Sequence, residues 1–157
     1  MISRRLFLGS SAALLGSSAF VAMPAFGETF EVTKTEAEWQ AILSPPAFDV
    51  LRHEGTERPF TSALLDEHRA GTFNCAGCDL PLYDAAAKYD SGTGWPSFWQ
   101  AIDGAIGTKV DESLLSVRTE CHCRRCGGHL GHIFNDGPEP TGMRHCINGV
   151  ALRFVAG

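Results

Sequence analysis

Two Cys-x-x-Cys pairs constrain the fold of this chain more than any other feature of its sequence. They occupy residues 75–78 and 123–126, with 44 residues between them. A Cys-x-x-Cys turn directs two sulfurs at one ion, and two such turns supply the four thiolates of a tetrahedral zinc site. The predicted zinc ligands are Cys75, Cys78, Cys123 and Cys126. We therefore expect one zinc ion to join two distant parts of the chain.

The predicted zinc ion is structural, because four thiolates leave no open position for water or substrate. An alternative is that one pair is a thioredoxin-like redox motif, but neither pair lies in a predicted βαβ unit, and the other pair would then be unexplained. Gly77 and Gly127 are expected to give the two turns their backbone freedom. Arg124 and Arg125 place positive charge beside the thiolates.

The first 27 residues have the composition of an export signal. Arg4 and Arg5 precede an uncharged run that extends to Gly27, in an order that resembles a twin-arginine signal. We predict cleavage after Gly27, a periplasmic or otherwise exported protein, and a single domain formed by residues 28–157, with membrane contact only during export. An uncleaved membrane anchor is the alternative, because about 20 apolar residues can span a bilayer.

The net charge argues against nucleic acid as a partner. The whole chain carries a formal charge of -5, which becomes -7 without Arg4 and Arg5. Nucleic-acid binding requires a basic face that displaces counterions from phosphate.

The hydrophobic pattern changes from helical to β near residue 71. Short helices are predicted for residues 33–43, with Thr33 or Thr35 as N-cap, for residues 47–52 and around residues 64–68. After residue 71, runs rich in β-branched and aromatic residues are separated by Gly, Pro, Asn and Asp, which is typical of antiparallel strands in a sandwich or open barrel. The predicted strands are residues 72–74, 106–110, 114–122, 133–134, 144–148 and 150–155. The predicted fold class is mainly β, with short N-terminal helices.

Cys146 lies outside the zinc motif, in the predicted strand 144–148. Side chains alternate along a strand, so Arg144, Cys146 and Asn148 share one face. The guanidinium favours a thiolate, and the amide can donate to a developing oxyanion. A buried free cysteine can also be an inert small hydrophobe, so this pattern leaves both interpretations open.

His129 and His132 follow the second cysteine pair and flank a Leu-Gly dipeptide. They could be additional metal ligands, but the four sulfurs already complete a zinc site. General acid chemistry is the better use for them. The alternative is that one of the two only bonds to the backbone in the core.

Four segments together resemble the methionine sulfoxide reductase B family. They are residues 75–78, the sequence Ser-Gly-Thr-Gly-Trp-Pro-Ser-Phe at 91–98, residues 129–136 and the sequence Arg-His-Cys-Ile-Asn at 144–148. The similarity extends over residues 39–154 and keeps the order of the motifs. It implies two antiparallel sheets, short N-terminal helices, a zinc ion away from the active site and reduction of the R epimer of methionine sulfoxide.

The resemblance also implies roles for individual residues. Cys146 would attack the sulfoxide sulfur and become a sulfenic acid, the first reversible stage of cysteine oxidation. His129 and His132 would deliver a proton to the sulfoxide oxygen, which is otherwise a poor leaving group. Asn148 and Arg144 would help to hold the thiolate and the substrate.

Two aromatic residues are expected to form the substrate pocket. By the same resemblance, Trp95 and Phe134 would make an apolar cup for the methyl group of the substrate. For Trp95 the alternative is an ordinary aromatic residue of the core. The expected substrates are oxidised proteins or peptides, because repair of protein-bound residues fits an open cup.

The sequence departs from the family pattern at the position that regenerates the enzyme. Many members carry a resolving cysteine between the two glycines of the Ser-Gly-x-Gly-Trp loop, and Thr93 stands there in this chain. Cys121 is the only remaining thiol. It could resolve Cys146, be a spare thiol near the metal or occupy a core position, which we favour. A thioredoxin-like protein or another dithiol would then reduce the sulfenic acid directly.

Two rival functions follow from the same cysteines. One is a zinc-ribbon-like binding module without chemistry, which leaves Cys146, the histidines and the aromatic loop unused. The other is a thiol peroxidase or disulfide exchanger that uses Cys146 with Cys121. Only a methionine sulfoxide reductase is expected to discriminate between sulfoxide epimers.

Overall fold

Strand pairing in this protein is antiparallel in both of its sheets. A computed structural model describes residues 28–113 and 116–157, and within these ranges two helices precede nine strands. The helices are α1 (Glu36–Ile42) and α2 (Pro45–His53). The strands are β1 (Gly71–Cys75), β2 (Pro81–Asp84), β3 (Lys88–Tyr89), β4 (Ser97–Phe98), β5 (Ile106–Asp111), β6 (Arg118–Cys123), β7 (His129–Phe134), β8 (Arg144–Ile147) and β9 (Leu152–Ala156). Short 3₁₀ helices cover Ala63–Asp66, Ala85–Ala87 and Gly149–Ala151.

Side-chain caps determine where both helices begin. Of the two predicted N-caps for α1, Thr35 is the one used, since its hydroxyl accepts from the backbone N–H of Glu38 and the Glu38 carboxylate accepts from the Thr35 N–H at 2.7 Å. Ser44 caps α2, and Pro45 occupies the first turn, where its missing N–H costs nothing. The apolar side of α2 is buried and includes Phe48, and this helix packs on β7.

The strands form a three-stranded sheet and a six-stranded sheet in the part of the chain described. Their strand orders are β2-β1-β9 and β3-β4-β8-β7-β6-β5. Aromatic residues connect the sheets: Tyr83 of β2 stacks on Phe98 of β4 with ring centroids 4.3 Å apart, and Phe73 of β1 meets Phe98 edge-on. All three side chains are fully buried. The predicted fold of two antiparallel sheets with short N-terminal helices is confirmed.

Several predicted boundaries were wrong. The strand predicted at 133–134 starts at residue 129, and the one predicted at 150–155 starts at residue 152 because residues 149–151 form a 3₁₀ turn. Strands β2, β3 and β4 were not predicted, since two to four residues are too few to show an alternating pattern. The strand predicted at 114–122 is seen from residue 118, and residues 114–115 lie outside the described residues.

The predicted export signal, residues 1–27, also lies outside the described residues. Within residues 28–113 and 116–157, no helix has the length and apolar character needed to cross a bilayer. The choice between a cleaved signal and an anchor therefore stays a prediction from sequence.

Candidate active site and metal centre

The four cysteines of the two Cys-x-x-Cys pairs meet in one cluster. Cys75 ends β1 in the three-stranded sheet, and Cys123 ends β6 in the six-stranded sheet. All four ligand atoms lie within 4.8 Å of one another, with sulfur–sulfur distances of 3.7 Å for Cys75 and Cys126 and 3.5 Å for Cys78 and Cys123. A bound metal ion would therefore connect the two sheets directly.

The sulfur positions fit a tetrahedral metal site rather than disulfides. A regular tetrahedron with metal–sulfur bonds of about 2.3 Å has sulfurs about 3.8 Å apart, whereas a disulfide needs about 2.05 Å. All four cysteines are free thiols. Hydrogen bonding among the sulfurs raises the pKa of Cys75 and lowers that of Cys78. Four thiolates this close together repel one another unless a cation lies between them.

Each cysteine pair is closed by a residue with left-handed backbone conformation. The N–H of Asp79 (φ 60°) donates to the Cys75 carbonyl at 2.9 Å, and the N–H of Gly127 (φ 67°) donates to the Cys123 carbonyl at 2.8 Å. Gly127 thus acts as predicted. Gly77 does not, since the left-handed residue of its turn is Asp79; instead, a Cβ on Gly77 would approach the Trp39 ring to 3.4 Å.

Two arginines bond to the carbonyls of the cysteine turns. Arg125 donates to the Cys78 carbonyl at 3.2 Å, as its position in the sequence suggested. Arg52 of α2 donates to the Cys126 carbonyl at 3.0 Å and lies over the Trp39 ring, an interaction that the sequence did not predict. Arg124, the other predicted cation, is exposed.

A cleft of about 130 Å³ opens on the six-stranded sheet, away from the cysteine cluster. It is lined by Thr56, Trp95, Arg118, Gly131, His132, Phe134, Cys146 and Asn148. Five of the seven residues predicted for catalysis and substrate binding are in this lining, and the other two are Arg144 and His129. Pockets for drug-sized ligands measure roughly 300–1,000 Å³, so this cleft accommodates little more than one small side chain.

Cys146 lies on β8 at the base of the cleft, between Ser97 of β4 and His132 of β7. Its sulfur is 3.9 Å from the Thr93 hydroxyl. Burial raises the pKa of Cys146, and hydrogen bonding by Thr93 and the nearby charge of Arg144 offset only part of this effect. The sequence had suggested that the cation favours a thiolate. In the folded protein desolvation outweighs the cation, so the net effect is a raised pKa for the Cys146 thiol.

Arg144 is held beside the cleft by two partners. Its guanidinium makes a bidentate ion pair with Asp136, with both nitrogen–oxygen distances at 2.9 Å, and it lies over the Phe134 ring at 4.4 Å. The hydrogen bond to Asp136 raises the pKa of Arg144. The guanidinium therefore stays charged and keeps a fixed position relative to Cys146.

We expect Arg144→Met to make Cys146 less reactive at neutral pH. Arg144 lowers the pKa of Cys146, so its loss shifts the ionisation of the thiol to higher pH. The rate of alkylation by iodoacetamide, measured from pH 6 to 11, should show its rise displaced upward. Asp136→Asn is the matched control because it frees the guanidinium without removing its charge. Identical profiles for wild type and Arg144→Met would contradict this coupling.

The two predicted histidines have different partners. Nε2 of His132 is 2.7 Å from the Asp111 carboxylate, which also binds Arg118 at 2.6 Å. Burial lowers the pKa of His132, and Asp111 opposes that effect. A neutral His132 therefore carries its proton on Nε2, where Asp111 accepts it, and leaves Nδ1 free to accept a proton.

His129 is buried behind the cleft rather than in its lining. Its Nδ1 lies 2.6 Å from the carboxylate of Glu120, and its ring is 5.5 Å from that of His132. Glu120 is only 2% exposed and also contacts His122. Although burial acts to raise it, hydrogen bonds from the two histidines lower the pKa of Glu120 to about 2. A buried carboxylate of this kind requires hydrogen-bond partners, which the two histidines supply.

Comparison of the sequence with known proteins shows which family the chain resembles. The sequence pattern of the SelR domain matches residues 43–156. A peptide methionine sulfoxide reductase MsrB of Thiobacillus denitrificans is 51% identical over 122 residues, which is 77% of this chain and 92% of that protein. The protein of the same name from Pseudomonas putida is 52% identical over 125 residues, covering 79% and 94% of the two chains, and that of Leptospira interrogans is 48% identical over 126 residues, covering 80% and 96%.

This chain belongs to the methionine sulfoxide reductase B family. In this chain, the two thiols outside the metal motif lie on opposite faces of the six-stranded sheet. Cys121 is fully buried in the core near Tyr83, whose hydroxyl lies 3.3 Å from His145. His145 precedes Cys146 on β8 and faces away from the cleft. This placement argues against Cys121 as a partner for Cys146.

Backbone groups hold two of the predicted site residues, Asn148 and Trp95, in place. The Asn148 amide accepts from the N–H of Glu57 at 3.0 Å and donates to the Leu130 carbonyl at 2.9 Å. The Trp95 indole N–H donates to the Glu57 carbonyl at 3.1 Å. Trp95 is only partly buried and its ring forms a wall of the cleft, so it is not an ordinary core residue.

Sequence reasoning missed Glu57, which organises one side of the cleft. Its carboxylate accepts from the N–H groups of Gly149 and Val150 at 2.7 and 3.1 Å, directly after Asn148. Asp111 and Glu120 were missed as well. None of the three lies in a motif with a recognisable spacing, so sequence position alone offered no signal for them.

Proposed function

We propose that this protein reduces methionine-R-sulfoxide, chiefly in oxidised proteins and peptides, to methionine. The observation that carries the proposal is a partly exposed thiol, Cys146, at the base of a small cleft between an indole wall and an imidazole, in a chain of the reductase family. A sulfoxide methyl group fits against Trp95 and Phe134, since both offer apolar ring surface. The sulfoxide oxygen is then directed toward the polar side of the cleft.

The proton for the leaving oxygen comes from the cleft itself. Cys146 and His132 are paired across β7 and β8, and His132 has Nδ1 free to accept the thiol proton. Asp111 stabilises the imidazolium that results, as carboxylates do for catalytic histidines. His132 then donates this proton to the sulfoxide oxygen. Glu120 and His129 lie behind it, and the His129 ring is 5.5 Å from the His132 ring.

The reaction balances as a two-electron exchange between two sulfurs. The Cys146 sulfur attacks the sulfoxide sulfur and forms a sulfur–sulfur bond. The protonated oxygen then moves to the Cys146 sulfur, so that the substrate sulfur–oxygen bond and the new sulfur–sulfur bond both break and Cys146 becomes a sulfenic acid. Methionine is reduced and leaves, while the cysteine is oxidised. Two external thiols then convert the sulfenic acid to thiol and water and become a disulfide.

An epimer-resolved assay tests this function. Purified protein with dithiothreitol should convert N-acetyl-methionine-R-sulfoxide to N-acetyl-methionine and leave the S epimer untouched. Consumption of peroxide or disulfide without preference between epimers would favour a thiol peroxidase or disulfide exchanger. No turnover of any of these compounds would favour a binding module.

We infer that the ion at the cysteine cluster is zinc. Four sulfurs at tetrahedral spacing form a closed site, which zinc commonly occupies in a structural role. When bound, it would supply fixed geometry between the sheets and no reaction step. Metal analysis of protein purified without added metal should find one zinc per chain, and iron in its place would overturn this inference.

We propose that a thioredoxin-like protein or another dithiol attacks the sulfenic acid of Cys146 directly. Thr93 cannot form a disulfide, and Cys121 lies on the other face of the sheet.

We also propose export to the periplasm on the basis of residues 1–27. Cell fractionation of the full-length chain, compared with an Arg4→Lys and Arg5→Lys variant, tests the export.

We expect Cys121→Ser to leave both sulfoxide reduction and recycling intact. The measurement is single-turnover release of methionine without reductant, followed by steady-state turnover with a thioredoxin-like donor. Because a buried serine hydroxyl can use the Tyr83 hydroxyl as its partner, the variant should fold. Loss of recycling with an intact first turnover would instead identify Cys121 as the resolving thiol.

A further inference from the structure

Phe60 is an exposed aromatic residue in a strained conformation. Its side chain is 70% exposed, and its φ of 62° lies in the left-handed region that bulky residues rarely adopt. Both features cost free energy, because apolar surface faces water and the backbone is held in an unfavourable region. Strain of this kind persists only where surrounding structure maintains it, and it is concentrated at binding and catalytic sites.

The structure around Phe60 holds it against the loop that carries Trp95. The Phe60 N–H donates to the Gly94 carbonyl at 2.8 Å. Gly94 has a φ of 93°, and a Cβ there would lie 2.8 Å from the Pro59 Cβ and 3.0 Å from the Phe60 ring. Glu57 adds a second connection through its bond from the Trp95 indole. The Phe60 backbone is therefore held in place, and its ring lies at the rim beside the loop that carries Trp95.

A groove of about 260 Å³ begins at this ring. Its apolar walls include Phe60, Leu65, Trp95 and Pro96. Trp95 is also a wall of the cleft that contains Cys146, whereas Phe60 is not in the lining of that cleft. The groove, hereafter the Phe60 groove, thus shares one wall residue, Trp95, with the candidate active site.

We propose that the Phe60 groove binds an apolar side chain that flanks the methionine sulfoxide in a polypeptide substrate. This inference rests on the proposed reductase function and specifies its substrate class. The cleft has room for little beyond the oxidised side chain itself, so neighbouring residues must bind outside it. Consecutive Cα atoms are about 3.8 Å apart, so a chain that crosses Trp95 enters the groove within a residue or two.

The chemistry of oxidised proteins fits an apolar groove. Methionine fills hydrophobic cores, and its oxidation to a polar sulfoxide disrupts them. The segments released in this way carry core residues next to the damaged methionine. The charged residues around the groove are mixed in sign, with Asp66 and Asp90 against Lys88, so the groove is not a site for ions of one sign.

Three substrates with dithiothreitol as reductant test the proposal. They are N-acetyl-methionine-R-sulfoxide, a hexapeptide with Leu and Phe beside the sulfoxide, and the same hexapeptide with Gly and Ser there. Wild type should have a higher kcat/KM for the apolar peptide than for the polar one. Phe60→Asn should lower kcat/KM for the apolar peptide by roughly five- to tenfold, as expected for losing part of the burial of one aromatic ring. Asparagine tolerates the left-handed backbone and keeps the N–H, so the loop is retained.

Activity on N-acetyl-methionine-R-sulfoxide distinguishes a failure of the groove proposal from a failure of the proposed reductase function. Phe60→Asn should leave kcat/KM for the small substrate unchanged. Ile42→Asn on α1 removes another exposed apolar side chain (55% exposed) and should leave kcat/KM unchanged for the small substrate and for both peptides. Equal loss on all three substrates, or no loss on the apolar peptide, overturns the role of the Phe60 groove. Failure of wild type to reduce the small substrate would instead overturn the reductase function.

Discussion

Cys146→Ser is expected to lower kcat for methionine-R-sulfoxide by about 10³-fold or more, as for loss of a covalent nucleophile. A serine hydroxyl in the same place is a far weaker nucleophile toward sulfur and cannot form a sulfenic acid. The geometry of the cleft should survive, since serine is close in size and Cys146 is only partly buried. The measurement is methionine released per chain, in single turnover and at steady state.

Two controls distinguish loss of the nucleophile in Cys146→Ser from loss of folded structure. Metal content and thermal unfolding should match wild type, because Cys146 is not among the four clustered cysteines. Cys121→Ser, the same chemical change in the core, should retain activity. Substantial turnover by Cys146→Ser would show that another group is the nucleophile.

Cys78→Ser is expected to abolish tight metal binding and to unfold the domain near ambient temperature. Structural zinc sites contribute roughly 10–16 kcal/mol of apparent binding free energy, which is comparable to the roughly 5–15 kcal/mol by which a whole domain is stable. Cys78 is the best ligand to replace because it is the least buried of the four, so little packing is lost with its sulfur. Metal analysis and calorimetry measure the effect.

The position of the cluster explains why its loss should affect the whole domain. Cys75 and Cys123 end strands of different sheets, so an ion bound by these cysteines would join the two layers of the fold. Chelation of the wild-type metal should reproduce the Cys78→Ser phenotype, and zinc should restore only the wild type. A variant that keeps one tightly bound zinc and a normal unfolding temperature would contradict this role.

Local sequence signals predicted local structure well. Thr35, one of the two predicted N-caps, forms a capping box with Glu38 at the start of α1, because this effect depends on residues within one turn. Strands of two residues, such as β3 and β4, were missed for the opposite reason. They exist because their partners lie beside them, and pairing with a distant strand leaves no periodic trace in so short a segment.

The sequence by itself determined the cysteines that cluster, the mainly β fold and the common face of Cys146 and Asn148, since motif spacing and strand alternation are properties of the chain. Only the tertiary structure decided how these residues behave. Asp111 reaches His132, and Glu120 reaches His129, through strand pairing and packing that sequence distance does not reveal. Burial in the folded sheet likewise decides the pKa of Cys146, because desolvation depends on everything packed around the thiol.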